Sequence, residues 1–323
     1  MAEAAPPVLS VKGLKKHFPI ERGLIRRASG VVKAVDDVSF DIAAGEVLAL
    51  VGESGSGKTT LGRCVVRAID PTGGEATLIG RDGAPVDLVR TPARALRAAR
   101  ADMNMVFQDP FSSLSPRMPV IDIIGEPLRA QGLRRADIHD RVREMAALVG
   151  LNVGHLTRYP NALSGGQRQR ICIARALVTH PRLVVADEPV SALDVSIQAQ
   201  ILNLLQDMQA RFGLSYLFIA HDLSVVEHMA NRVAVMYMGK VVESGDVRTI
   251  FKHPLHPYTV GLMRSIPKMG RGLKERLTPI PGSVPDPFAV PSGCAFAPRC
   301  PAPKRVSCQQ EVPLVEVEPG HWV

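Results

Sequence analysis

Short, wholly apolar runs separated by longer amphipathic stretches set the layout of this chain. Val47-Leu48-Ala49-Leu50-Val51 has no polar alternation, as expected of a strand buried on both faces. Residues 183–186 and 216–220 repeat that pattern, and 103–107 does so apart from Asn104. Each run is followed at once by glycine or by a chemistry-bearing residue: Gly52, Gln108, Asp187 and His221. Between them the period changes. Ile138, Val142, Met145 and Val149 recur at three-to-four spacing, and so do Ile197, Ile201, Leu204, Leu205 and Met208, which predicts amphipathic helices. Residues 233–237 and 241–242, separated by Met238-Gly239-Lys240, predict a hairpin. Residues 8–41 read as extended segments interrupted by the basic, Gly-containing stretch 21–30. The alternation of buried strands and helices predicts an α/β fold.

Two expected domains follow from shifts in composition. Residues 1–250 carry the strand-helix pattern, with a helical insertion at about 109–162, and residues 251–323 are rich in proline and loop signals. The chain has 323 residues, enough for one large domain and a smaller one. No apolar run approaches the roughly 20 residues needed to cross a bilayer. The first ten residues lack a basic, then apolar, leader pattern, so no signal peptide is expected. Five cysteines, an odd number, argue against a disulfide framework. The net charge of +8 would suit nucleic acid or an acidic surface, but an aromatic content of 4% gives few stacking platforms.

The chemistry begins directly after the first buried run. Gly52-Glu53-Ser54-Gly55-Ser56-Gly57-Lys58-Thr59, followed by Thr60, matches the phosphate-binding loop G-x-x-x-x-G-K-[ST] in its required strand–loop–helix setting. The glycines let backbone N–H groups curl around phosphate oxygens at the positive end of the next helix. Lys58 would reach the β- and γ-phosphates of a bound nucleoside triphosphate, and the Thr59 hydroxyl would ligate Mg²⁺. Asp187 ends a buried run, where a carboxylate can be held rigidly at that Mg²⁺, and Glu188 follows it. Leu163 and the run Ser164-Gly165-Gly166-Gln167 open a further helix, where by themselves they could serve as a plain N-cap.

An LSGGQ run between a phosphate loop and an Asp-Glu strand end resembles the ATP-binding-cassette ATPases, in which two such domains close face to face over two ATP molecules. The resemblance implies a P-loop core with an antiparallel β subdomain, a helical insertion and a small loop-rich C-terminal module. It makes Glu188 the base that orients the attacking water and His221 the switch histidine on the γ-phosphate. Gln108 becomes the glutamine that senses γ-phosphate and Mg²⁺, and Asp194 an aspartate at the dimer interface. Ser164, Gly165, Gly166 and Gln167 would then act on ATP held by the opposite subunit. Phe18 matches the aromatic that stacks on adenine; alternatively it packs into the core of the N-terminal sheet. Cys64 and Cys172 read as buried small hydrophobes.

Beyond the generic motifs, the chain resembles the ATPase subunits of dipeptide and oligopeptide importers, a family that includes nickel importers. The stretches that carry this are Val106-Phe107-Gln108-Asp109-Pro110, His256-Pro257-Tyr258-Thr259 and Gly293-Cys294-Ala295-Phe296-Ala297-Pro298-Arg299-Cys300. Gly165-Gly166-Gln167-Arg168-Gln169-Arg170 looks like the F-type subunit. The implied partners are a second, D-type ATPase subunit, two transmembrane permease subunits and an extracytoplasmic solute-binding protein, with no nucleic acid. The implied place is the cytoplasmic face of the inner membrane. A soluble cassette ATPase working on nucleic acid or ribosomes is the competing class; it usually carries a long coiled-coil insertion or a second cassette. Cys294, Cys300 and Cys308 are either unlinked thiols or ligands of a metal centre, and some members of the family carry a [4Fe–4S] cluster there. A cuboidal cluster normally needs four thiolates, so His321, solvent or a residue beyond Val323 would have to complete it.

Overall fold

The computed structural model describes residues 6–22, 27–265, 279–286, 288, 291–303, 306–310 and 312–323. In chain order the first strands are β1 (Leu9–Arg22), β2 (Arg27–Ile42), β3 (Val47–Val51), β4 (Gly73–Ile79), β5 (Pro85–Asp87) and β6 (Met103–Val106). They are followed by β7 (Leu183–Asp187), β8 (Ser215–Ile219), β9 (Arg232–Tyr237), β10 (Lys240–Asp246), β11 (Glu316–Glu318) and β12 (His321–Trp322). The helices are α1 (Lys58–Val65), α2 (Ala93–Ala99), α3 (Pro110–Ser113), α4 (Val120–Ala130) and α5 (Arg135–Leu148). Then come α6 (Gly165–Leu177), α7 (Val195–Phe212), α8 (Leu223–Met229), α9 (Val247–Lys252) and α10 (Pro257–Arg264). β1 and β2 cover most of the stretch expected to interrupt them; residues 23–26 lie outside the described residues. β4 and β5 pair antiparallel, in register Thr77↔Asp87 and Ile79↔Pro85.

Contacts divide the chain into two compact units. The first comprises Met1–Ser10, Asp41–Val47 and Ala76–Ile219. Its heart is the parallel set β6-β7-β8, in register Met103↔Leu183 and Leu183↔Ser215. Every residue of β7 and β8 is buried, which explains why they are apolar apart from Asp187 at the end of β7 and Ser215 at the start of β8. Residues 110–148 carry α3, α4 and α5. Ile138, Val142 and Met145 are buried along α5, with Val149 just past its end, as their spacing predicts. On α7 the buried face is Ile201, Leu202, Leu204, Leu205 and Met208, while Ile197 is only half-buried beside the N-terminus of α6.

The second unit comprises Val11–Phe40, Leu48–Glu75 and Ala220–Val323. Here β3 pairs in parallel with β9, and β9 turns back into antiparallel β10 as the expected hairpin. Met238 and Gly239 both take positive φ, 47° and 83°, as a tight hairpin turn requires. Only glycine fits at 239, because a Cβ there would lie 2.6 Å from the Lys33 carbonyl oxygen. No pattern in the C-terminal residues signals that they join this sheet, yet β12 pairs with β10 through Ser244↔Trp322 and with β11 on its other side.

A fully buried carboxylate locks that end of the molecule. Glu243 accepts hydrogen bonds from the Leu255 N–H at 2.8 Å, the His256 N–H at 3.0 Å and the His321 Nε2–H at 2.7 Å. Three donors are what a carboxylate at 0% exposure needs to offset its lost hydration. His256 caps α10, its Nδ1 accepting the Tyr258 N–H, and burial holds its pKa down at about 4. The unfolded chain binds a proton to this ring near pH 6.5 and the folded chain does not, so stability should be full above pH 6.5. It should then fall by up to about 3 kcal/mol as pH drops from 6.5 to 4. Urea titrations at pH 7 and pH 5 should show a smaller pH-dependent loss in His256→Asn, which keeps a capping side chain but has no proton to take up. Identical pH dependence in both proteins would exclude this ring as the cause.

Candidate nucleotide site

The phosphate loop is built by β3 and α1, as the sequence requires. Gly52, Gly55 and Gly57 take φ of 151°, 79° and 103°. A Cβ on Gly52 would lie 2.1 Å from the Met236 carbonyl oxygen, and one on Gly57 2.0 Å from that of Ala34. The loop is therefore pressed against backbone on one side, where no side chain fits. Ser54 and Gly55 are exposed on its outer turn, and Thr59 and Thr60 are half-buried on the first turn of α1. Lys58 is 5% exposed, and its ammonium folds back over the loop. It donates to the carbonyls of Gly52 and Glu53, both at 2.8 Å, and to Ser56 Oγ at 3.3 Å. A cationic group held inside a ring of backbone amides is a cradle for phosphate oxygens.

The Asp-Glu pair lies in the first unit. Asp187 closes β7 at 0% exposure. Glu188 then enters the left-handed region, φ 46°, with its N–H bonded to the Ile219 carbonyl at 2.9 Å. A non-glycine residue in that conformation costs roughly 1–2 kcal/mol, and such strain gathers at functional sites. Gln108, exposed two residues beyond β6, donates its Nε2–H to Glu188 Oε2 at 2.9 Å. The structure thus brings together two residues that are 80 apart in sequence.

Ser164 caps α6 in a reciprocal box: its Oγ accepts the Gln167 N–H at 3.3 Å, and Gln167 Oε1 accepts the Ser164 N–H at 3.0 Å. The cap reading holds, and the box orients the helix end while leaving Ser164 exposed. Gly165 and Gly166 open the helix, and a Cβ on Gly166 would crowd Ile197 at 2.9 Å. Asp194 stands exposed at the start of α7 without a capping bond, next to Val195, which is 82% exposed. His221 follows buried Ala220 and is itself exposed. Phe18 is 38% exposed with Lys16 Nζ 4.8 Å from its ring centre, so it is not a core residue.

The family described as "ABC transporter" matches residues 35–191, and "Oligopeptide/dipeptide transporter, C-terminal region" matches residues 242–308. Over 321 residues the chain is 46% identical to the oligopeptide transport ATP-binding protein AppF of Bacillus subtilis (strain 168), covering 98% of this chain and 96% of that one. The chain belongs to the ABC transporter family. This ABC ATPase is also 46% identical to the dipeptide transport ATP-binding protein DppF of Escherichia coli (strain K12), over 91% of its own length and 86% of the relative's. A solved dimeric ATP-binding cassette in a post-hydrolysis state, bound to ADP and phosphate, aligns with a TM-score of 0.65 at 26% identity. That likeness covers 74% of the ABC ATPase and 99% of the cassette.

The metal expectation in the C-terminal segment finds no support. Cys294, Cys300 and Cys308 are free and half-buried, and among the described residues no group of three or more His, Cys, Asp or Glu is placed to hold a metal ion. His321, offered above as a fourth ligand, is committed to Glu243. Cys64 and Cys172 are buried as expected, and burial pushes the Cys64 thiol up to about 11. The residues that sequence reasoning missed are Tyr258 and Arg299. Both reach into the phosphate loop from the C-terminal segment.

Proposed function

We propose that this chain is the ATP-hydrolysing subunit of a bacterial importer that takes up dipeptides or oligopeptides through partner membrane subunits. The observation that carries this reading is a complete phosphate loop and Asp-Glu strand end joined, in one chain, to a C-terminal segment of the oligopeptide/dipeptide transporter type. Among the described residues no helix is long and apolar enough to cross a membrane, so work on a membrane would pass through partners.

In this mechanism the loop amides of residues 52–59 and the Lys58 ammonium hold the phosphates of ATP, and Phe18 stacks on adenine. Thr59, Asp187 and Gln108 offer hard oxygen donors, fitting Mg²⁺, and the fully buried Asp187 carboxylate is the rigid member. Bound there, Mg²⁺ would neutralise charge on the phosphates. Glu188 takes the proton of the attacking water, Gln108 orients its carboxylate, and His221 hydrogen-bonds the γ-phosphate. Ser164, Gly165, Gly166 and Gln167 present the N-terminus of α6 to the ATP of a D-type partner subunit, with Asp194 at the shared face. ATP closes the pair, and the motion passes through α3 to α5 into two permeases. Phe111, 59% exposed beside Arg168 on that side of the first unit, is a suitable contact. The machine sits at the cytoplasmic face of the inner membrane, with an extracytoplasmic binding protein delivering the peptide.

Reconstitution of this chain with its partner ATPase, permeases and binding protein in liposomes tests the reading. Dipeptides or oligopeptides should stimulate ATP hydrolysis and accumulate inside. Stimulation by nickel ions and not by peptides would overturn the cargo assignment.

A further inference from the structure

An acid inside an anion-binding loop is an electrostatic anomaly. Glu53, the second residue of the phosphate loop, places a carboxylate beside the cradle meant for a polyanion. The fold cancels it with Arg299, 246 residues later. Arg299 Nη1 donates to Glu53 Oε2 at 2.6 Å and Nη2 donates to Oε1 at 3.1 Å, a two-pronged pairing that only a guanidinium supplies. The arginine side chain is 4% exposed and the glutamate 28%.

The rest of Arg299 is fixed as firmly. Its Nε donates to the Pro281 carbonyl at 3.1 Å, and its guanidinium carbon lies 5.9 Å from the ring centres of both Tyr237 and Phe296. Those rings pack edge to face at 5.3 Å, and Tyr258 tilts against both. Tyr258, fully buried on α10, makes the second attachment: its hydroxyl oxygen accepts the Glu53 N–H at 2.7 Å. The third polar group of Glu53, its carbonyl, accepts from Lys58 Nζ at 2.8 Å. Every polar group of Glu53 is thus engaged: its carboxylate and amide by the C-terminal segment, its carbonyl by the loop lysine.

We propose that Arg299 and Tyr258 are positioning residues for the nucleotide, clamping Glu53 so that ATP affinity depends on the C-terminal segment. The inference rests on the ATP-binding reading of the loop. Two effects carry it. The guanidinium removes a negative charge that would repel the phosphates, and the paired anchors hold the backbone of residues 52–53 still when Lys58 turns from its carbonyls to phosphate. A buried arginine that served the fold alone would change stability and leave the affinity of the folded protein as it was.

The test is titration of the full chain with a fluorescent ATP analogue and Mg²⁺, beside KM and kcat in the assembled complex and thermal melting of each variant. Arg299→Gln should weaken binding about tenfold or more and raise KM, with kcat of the folded fraction within about twofold. Arg299→Lys, which keeps the charge without the fork, should fall between. Adding Glu53→Gln to Arg299→Gln should recover part of the lost affinity, because the uncompensated charge is gone while the two-pronged anchor stays broken. If Arg299→Gln does not fold, Arg299→Lys and Tyr258→Phe carry the test, and each should still weaken binding by a measurable factor. Unchanged affinity in the folded variants, or no rescue by the double substitution, overturns the clamp. Failure of the parent chain to bind ATP, or parent-like binding in Lys58→Ala, would instead overturn the reading of the loop.

Discussion

Glu188→Gln is expected to slow ATP turnover by roughly 10²–10⁴-fold while leaving ATP affinity near that of the parent, the range for losing a positioned general base. The structure makes this substitution a clean one. Glu188 is held in a left-handed backbone directly after β7 by its N–H bond to Ile219, independently of its side chain. A glutamine there has the same shape, and its amide oxygen can still accept from Gln108 Nε2. What it loses is the capacity to take a proton. Lys58→Ala should do the reverse, weakening nucleotide binding itself, since the ammonium is the charge at the centre of the cradle. Calorimetric ATP binding beside phosphate-release rates in the assembled complex separates the two. Equal loss of binding in both variants would sink the role proposed for Glu188.

Ser164→Arg should abolish hydrolysis at the site built on the partner's phosphate loop and leave ATP bound at this chain's own Lys58. Ser164 is exposed at the N-terminus of α6, where the unpaired helix amides favour negative charge within the first turn. An arginine side chain there would fill the space a phosphate needs. It also removes the Ser164–Gln167 box, a loss of about 1 kcal/mol of helix stability. Ser164→Ala removes the cap without the bulk, so it isolates that smaller effect. Crosslinking of a photoreactive ATP, with the trapped nucleotide assigned to one subunit, provides the readout. Damage at the site containing Lys58 would mean that the face-to-face arrangement is wrong.

The legible parts of this molecule were those specified by a few consecutive residues. A phosphate loop needs eight neighbours in a row, and an all-buried strand announces itself by lacking polar positions, so β3, β7, β8 and α1 fall where the pattern puts them. The cap at Ser164 was equally local, a serine with glutamine three residues later. Contacts made by residues far apart in sequence left no such trace. Nothing around Arg299, in a run of Pro, Cys and Ala, says that its partner is Glu53. Nor does a histidine near the end of a loop-rich segment say that it completes a buried carboxylate and adds a strand to a sheet. The left-handed turn at Glu188 was hidden for a different reason: glutamate has no preference for it, and the surrounding fold imposes it. The three C-terminal cysteines show the opposite failure, where a spacing suggestive of metal does not become a site among the described residues.

The Glu53–Arg299 pairing also constrains how chains of this kind can diverge. A single change at position 299 strands a partly buried acid beside the nucleotide phosphates, and a single change at 53 strands a buried cation, so either step alone is penalised. The two positions should therefore be inherited as a unit, both charged or both neutral. Loss of the C-terminal segment would leave the Glu53 carboxylate without its guanidinium partner.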